Sequence, residues 1–235
     1  MIEFHDVSKA FKREWLAIKN IDLKIGKGEF SFLIGKSGAG KSTIMKMIYM
    51  ELFPDEGYVT VAGYDSRTIK RKEIPYLRRK IGVIFQDFKL LPDRNVYDNV
   101  AFALKVTGEP YGNIKKKTLD ALASVKMSHK RNSFPYQLSG GEQQKVSIAR
   151  AIIREPFILL ADEPTGNVDP EGSKEIMHLL KEINTQGTAV LMATHDHSLL
   201  EYETGKVMGI REGKMVPPED IFHKVDLIRA SEDEE

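Results

Sequence analysis

The segment Gly35–Thr43, G-K-S-G-A-G-K-S-T, constrains this chain more than any other. It fits the spacing G-x-x-x-x-G-K-[ST], in which a glycine-rich turn joins a strand to a helix and wraps backbone amides around phosphate oxygens. The flanks agree. Phe30, Phe32, Leu33 and Ile34 form an apolar run of strand length, and Ile44, Met47 and Ile48 recur at helical spacing. Gly35, Gly38 and Gly40 let the chain curl so that successive N–H groups face one anion. Lys41 would reach the terminal phosphates of a nucleoside triphosphate, and Ser42 would ligate Mg²⁺. The loop implies that a phosphate is held and leaves open what its hydrolysis serves.

Composition narrows the classes. The chain has 235 residues, enough for one large α/β domain or two small ones. Its formal net charge is +1, so no global field draws it to nucleic acid or anionic lipid. The cations between residues 66 and 80, Arg78 and Arg79 among them, therefore read as a solvated face. Cysteine is absent, which excludes disulfides, thiol catalysis and cysteine-bound metal. The N-terminus lacks the basic and apolar regions of a signal peptide. No apolar run approaches the roughly 20 residues that cross a bilayer, so any membrane would be reached through a partner.

The remaining segments alternate between strand and helix patterns. Ile2, Phe4, Ile21, Leu23 and Ile25 alternate with polar residues as half-buried strands do, and residues 8–15 between them read as a loop with two exposed aromatics. Of these, Phe11 either covers a sheet edge or stacks on a base. A helix is expected over about 41–52. The run Ile81–Phe85 is a buried strand ending at Gln86, a residue placed either to sense a metal and orient water or to cap a loop. Phe88-Lys89-Leu90-Leu91-Pro92 is apolar yet loop-like; Asn95 caps a helix, residues 108–113 break it, and Lys115 opens another. Residues 87–135 thus form a helical insertion. Ser139 and Glu142 make a capping box, and Gly140 and Gly141 leave the helix amides uncovered as a second candidate phosphate site. Phe157–Glu163 is an apolar strand ending in two acids, Asp162 and Glu163, which can take separate roles, one toward metal and one toward water. A helix is expected over about 171–185. The strand Thr188–Thr194 ends at His195-Asp196-His197, where His195, level with Asp162 and Gln86, suits a phosphate contact better than zinc. Residues 207–216 read as a hairpin, 219–229 as a last helix, and 231–235 as an acidic tail.

Taken in order, Gly35–Thr43, Gln86, Leu138–Gln143, Phe157–Glu163, Val168-Asp169 and His195 resemble the ATP-binding cassette of ABC transporters. The segments Phe85–Ala101 and Leu159–Asp169 look like its bacterial cell-division branch; near relatives are cassettes of the lipoprotein-release and macrolide-export type. The resemblance implies a P-loop NTPase fold: a parallel-sheet RecA-like core with an antiparallel β subdomain (about 1–86 and 156–216) and a helical subdomain (about 87–155). It implies an ATPase using ATP and Mg²⁺. Gly35, Lys36, Ser37, Gly38, Ala39, Gly40, Lys41, Ser42 and Thr43 would hold ATP, with Phe11 under adenine. Ser42, Gln86 and Asp162 would hold the metal. Glu163 would activate water, and His195 would contact the γ-phosphate. Ser139, Gly140, Gly141, Glu142 and Asp169 would act on the ATP of a second copy in a homodimer. An integral membrane partner would be met near Phe88, Leu90 and Leu91, with the chain on the cytoplasmic side of the bacterial inner membrane.

Overall fold

The protein is described by a computed structural model that covers residues 1–12, 15–203 and 205–221, with Lys12 and Trp15 described at the backbone only. In chain order the elements are β1 (Ile2–Lys12), β2 (Trp15–Ile25), β3 (Phe30–Ile34), α1 (Lys41–Ile48), β4 (Glu56–Val61), β5 (Tyr64–Asp65), α2 (Ile74–Arg78) and β6 (Ile81–Ile84). Then follow α3 (Val96–Lys105), α4 (Tyr111–Ser124), α5 (Gly140–Ile152), β7 (Ile158–Asp162), α6 (Pro170–Thr185), β8 (Ala189–Thr194), β9 (Lys206–Arg211) and β10 (Lys214–Val216).

Strand alternation sets the layers. In β3, Phe30, Phe32 and Ile34 join one apolar cluster and Leu33 joins another, and all of them are buried. β7 splits the same way, with Leu159 and Ala161 on one face and Ile158 and Leu160 on the other. Strands apolar on both faces belong between two layers, which is the setting of a parallel sheet. The sheet order is β10-β9-β3-β8-β7-β6, parallel throughout except for the β9–β10 hairpin. Apolar residues of α3, α4, α5 and α6 cover one face. α1 and a second, antiparallel sheet, ordered β2-β1-β4-β5, cover the other. The expected α/β class with an antiparallel sheet is thus present.

Four local expectations change. Residues 8–12 are not a loop: β1 runs to Lys12 and β2 starts at Trp15. Of residues 8–11 only Ser8 is buried; Asp55 holds the strand by accepting from Lys9 Nζ at 2.7 Å and from the Ala10 amide at 2.8 Å. α1 ends at Ile48 rather than near residue 52, with Met50 in a left-handed conformation at φ 54°. α4 begins at Tyr111, so Gly112 and Asn113 start a helix rather than interrupt one. Pro110 at its N-cap has a pre-set φ, and the first turn is where weak helix formers are least costly. The apolar loop 88–92 is joined to the core rather than separate from it: Phe88, Leu90 and Leu91 are half-buried while Lys89 is exposed, and Leu90 packs against the helical-side core. Residues 222–229 of the expected last helix, and the acidic tail, lie outside the described residues.

That segment is pinned by Asn99, fully buried on α3. Its Oδ1 accepts from the Leu91 amide at 2.7 Å, and its Nδ2 donates to the carbonyls of Leu91, Arg94 and Asn95 at 3.1, 2.9 and 3.0 Å. Asn99→Ala strips these buried backbone groups of their partner and should destabilise the fold by about 3 kcal/mol. An unshifted urea midpoint would contradict this account of the segment.

Candidate active site

The carboxyl ends of three adjacent strands meet at one level. Ile34 pairs with Thr194 and Asp162 with Ala193. The chain leaving each strand is stitched to β8: the Gly35 amide donates to the Thr194 carbonyl at 3.3 Å and the Glu163 amide to the Ala193 carbonyl at 2.9 Å. The glycine-rich loop, the paired acids and His195 are brought together by this ladder. They open on a cleft of about 430 Å³ lined by Ser37, Gly38, Gly40, Lys41, Ser42, Thr43, Gln86, Asp162, Glu163, His195 and Ala17.

The loop turns through left-handed conformations at Gly38 (φ 78°) and Gly40 (φ 117°), which favour glycine, and Gly40 stands at the N-cap of α1. Gly35 has a different constraint: a Cβ there would lie 2.3 Å from the Ile210 carbonyl oxygen, so glycine permits the close approach of β9. Lys41 is 95 % buried (5 % exposed) and folded back on the loop, donating to the carbonyls of Gly35 at 2.6 Å and Lys36 at 3.2 Å. Its Nζ lies 3.4 Å from Glu163 Oε1. Glu163 has φ 45°, a left-handed backbone that turns its side chain away from the strand alternation. Its other oxygen lies 3.0 Å from Nδ1 of His195. Lys41, Glu163 and His195 are therefore in direct contact.

Asp162 takes the other direction. Its Oδ2 accepts from the Ser42 hydroxyl at 2.9 Å. Burial pushes the Asp162 carboxyl above the ordinary carboxylate range; the Ser42 hydrogen bond and Lys41 pull against that, and the Glu163 charge adds to it. Ser42, Asp162 and Gln86 offer hard oxygen donors at one cleft. That set fits Mg²⁺, which takes few protein ligands and fills its shell with water and phosphate oxygens. The donors are too few for an all-protein cage, and no cluster of three His, Cys, Asp or Glu converges among the described residues. Asp196 instead caps the turn His197–Tyr202 by accepting from the Ser198 amide at 3.0 Å.

Several expected ATP-binding residues lie elsewhere. Phe11, 46 % exposed on β1, is not among the lining residues; Ala17 of the neighbouring strand is. Ala39 is buried and its carbonyl accepts from the Gly213 amide at 3.0 Å. Ser139, Gly141, Glu142 and Asp169 border a separate cleft of about 330 Å³ that shares no lining residue with the first. There the capping box forms: Ser139 Oγ accepts from the Glu142 amide at 3.2 Å and Glu142 Oε2 accepts from the Ser139 amide at 2.9 Å. Asp169 caps α6 through the Gly172 amide at 2.9 Å.

Residues 18–166 match the ABC transporter family. The chain belongs to that family. It is 51 % identical over 219 residues to the cell division ATP-binding protein FtsE of Bacillus subtilis, covering 93 % of this chain and 96 % of that one. To FtsE of Escherichia coli K12 it is 45 % identical over 215 residues, covering 92 % and 97 %. A solved dimeric ATP-binding cassette, MJ0796 in a post-hydrolysis state with ADP and Pi, superposes with a TM-score of 0.83 at 33 % identity, covering 92 % of this chain and 97 % of that one. CbiO1 of Clostridium perfringens gives 0.86 at 30 % identity, with 97 % and 93 % covered. The chain is an ATPase of the ABC type.

Two residues that connect the cassette's clefts had no sequence signal of their own. Asn167 donates through Nδ2 to the Gln86 carbonyl at 2.9 Å. Gln144, fully buried on α5, donates to the carbonyl of Pro164, directly after Glu163, at 2.6 Å. Both sit inside motifs, yet their partners are backbone carbonyls distant in sequence. The Asn167 carbonyl in turn rests on α5, where a Cβ on Gly140 would lie 2.5 Å from it. Gly140→Ala must displace this backbone, at a cost of about 1–3 kcal/mol. ATPase activity and melting temperature should both fall; wild-type values for both would show that the contact is yielding.

Proposed function

We propose that the chain is the ATPase subunit of a bacterial cell-division complex, FtsE acting with the membrane protein FtsX to pass ATP-driven motion to cell-wall hydrolase regulation. The observation that carries this is the 51 % and 45 % identity, each over more than nine-tenths of the chain, to two proteins named FtsE. In this reading the chain is peripheral on the cytoplasmic side of the inner membrane. Among the described residues no helix is long and apolar enough to cross a bilayer, so the partner provides the membrane span.

The proposed chemistry follows from the contacts. Lys41 now donates to two loop carbonyls and sits beside Glu163. A γ-phosphate entering the cleft offers a stronger acceptor, so the ammonium turns to it, and the loop amides hold the β-phosphate. Glu163 then orients and deprotonates the attacking water, while His195 contacts the γ-phosphate and keeps the carboxylate in place from the other side. Ser42, Asp162 and Gln86 would hold Mg²⁺, which when bound offsets the charge of the β- and γ-phosphates. Phe11 would lie under adenine, beside the Ala17 strand that lines the cleft.

Ser139, Gly140, Gly141, Glu142 and Asp169 are proposed to complete the cleft of a second copy. Support comes from their separation from the chain's own cleft and from the likeness to a cassette solved as a dimer with ADP and Pi. Residues 87–155 are proposed to act as the helical subdomain that meets the partner near Phe88, Leu90 and Leu91. Because Leu90 is part of the core packing, Leu91 is the better probe of that contact.

Glu163→Gln should keep ATP affinity, lower turnover by roughly 10²–10⁴-fold and accumulate an ATP-bound dimer in size-exclusion chromatography. Wild-type turnover in this variant would sink the assignment of the base. Lys41→Ala should lose nucleotide binding in equilibrium dialysis; unchanged affinity would remove Lys41 from the phosphate site.

A further inference from the structure

Glu163 carries its side chain on a backbone that is costly to keep. It is a non-glycine residue at φ 45°, a conformation that persists where the surroundings hold it. Its amide donates to the Ala193 carbonyl at 2.9 Å, and its carbonyl accepts from the Gly166 amide at 3.1 Å. The next residue, Pro164, has no N–H, so its backbone can be tied only through the carbonyl. That carbonyl accepts from Nε2 of Gln144 at 2.6 Å. β8 thus holds the turn at Glu163, and α5 holds it one residue later.

Packing alone does not explain a glutamine at this place. The side chain is fully buried on α5. The Pro164 carbonyl fixes the orientation of its amide, because an oxygen turned there would face another oxygen. Oε1 is then buried with no hydrogen-bond partner among the described residues. The hydroxyl of Ser147, three residues along the same helix, is likewise buried and unpartnered. One bond made by Nε2, set against an acceptor kept from water, adds little net stability. A buried polar group left unsatisfied in a native fold points to a role other than stability.

Resting on the reading of Glu163 as the base, we propose that Gln144 is a positioning residue for hydrolysis: its bond to the Pro164 carbonyl keeps Glu163 in the left-handed conformation that aims the carboxylate at the attacking water. Gln144 does not line the cleft, so it acts only through the turn. The aim is narrow. One Glu163 oxygen lies 3.4 Å from Lys41 Nζ and the other 3.0 Å from His195 Nδ1. Without the tether, the backbone at Glu163 relaxes toward the extended region that a residue before proline favours, and the carboxylate leaves this position. The phosphate loop is anchored separately, through the Gly35 amide on Thr194 and the Ala39 carbonyl on Gly213. Loss of Gln144 therefore spares nucleotide binding and slows the chemical step.

Gln144→Met keeps the length of the side chain and removes the donor. It should lower kcat about 10–100-fold, with KM and ATP affinity by equilibrium dialysis within about twofold of wild type. The melting temperature should stay within about 4 °C. In a Glu163→Gln background, where the base is already gone, the same substitution should slow single-turnover hydrolysis by less than about twofold. Gln144→Glu keeps a donor, because burial holds its carboxyl protonated at about pH 6, and should recover most of kcat there. If Gln144→Met lowers the melting temperature further, Gln144→Asn replaces it, with an amide too short to reach the carbonyl. Wild-type kcat without the donor would overturn the proposal, as would a loss confined to KM or a Gln144→Glu variant as slow as Gln144→Met. A loss equally large with and without the Glu163 carboxylate would overturn it while leaving the base assignment standing. Wild-type turnover in Glu163→Gln alone would remove the base, and this proposal with it.

Discussion

The backbone ladder joining β3, β8 and β7 decides where chemistry can occur in this chain. Because Ile34 lies beside Thr194 and Asp162 beside Ala193, three strands end together. The loops that follow are tied to β8 through the amides of Gly35 and Glu163. A shift of the ladder by two residues, the smallest that keeps each strand's buried face, would move one group by nearly 7 Å. Lys41 could not then approach Glu163 to 3.4 Å, nor could Ser42 reach Asp162. The apolar alternation of these strands is therefore a condition for the polar site as much as for the core.

α5 is the second organising element. Its N-terminus carries the capped Ser139–Glu142 turn, its middle holds the Pro164 carbonyl through Gln144, and its last turn holds the Phe88 and Lys89 carbonyls through Arg150. One rigid helix thus touches the second cleft, the turn that positions Glu163, and the segment that begins at Gln86. A displacement of α5 by any binding event at its N-terminus is transmitted to both other places, since packed helices move as units. This gives a physical route from the Ser139–Glu142 turn to the Pro164 carbonyl and to the segment that begins at Gln86.

The parts of this arrangement that the sequence announces are those with a local pattern. Gly35–Thr43 is legible because strand, turn and helix are contiguous, and Ser139–Glu142 because a capping box closes over three residues. The paired acids were readable as a strand end, and their separate directions, Asp162 to Ser42 and Glu163 to Lys41 and His195, are what the structure adds. Residues 8–11 carry no strand pattern because only Ser8 among them is buried, so burial imposes little alternation there. Gly112 and Asn113 look like breakers, yet in the first turn of α4 they need few intrahelical bonds. Gln144 and Arg150 carry no signal because each acts on carbonyls brought near only by the fold, 20 and 62 residues away.

Charge shows the same division between composition and placement. A near-neutral chain suggested that the cations after residue 66 simply face water. Arg67 does, paired with Asp65 at 2.5 Å, and stacked 3.6 Å from the Tyr58 ring. Arg78 and Arg79 differ because the turn into β6 carries them to a groove where Arg150 and Arg154 arrive from α5. The acids that balance them in the total are elsewhere; two of them, Asp162 and Glu163, line the cleft, where they contact Ser42, Lys41 and His195. Neutrality of the whole thus conceals a local separation: a cleft whose acids contact Lys41, His195 and Ser42, and four arginines of which none, among the described residues, has a carboxylate within 4.0 Å.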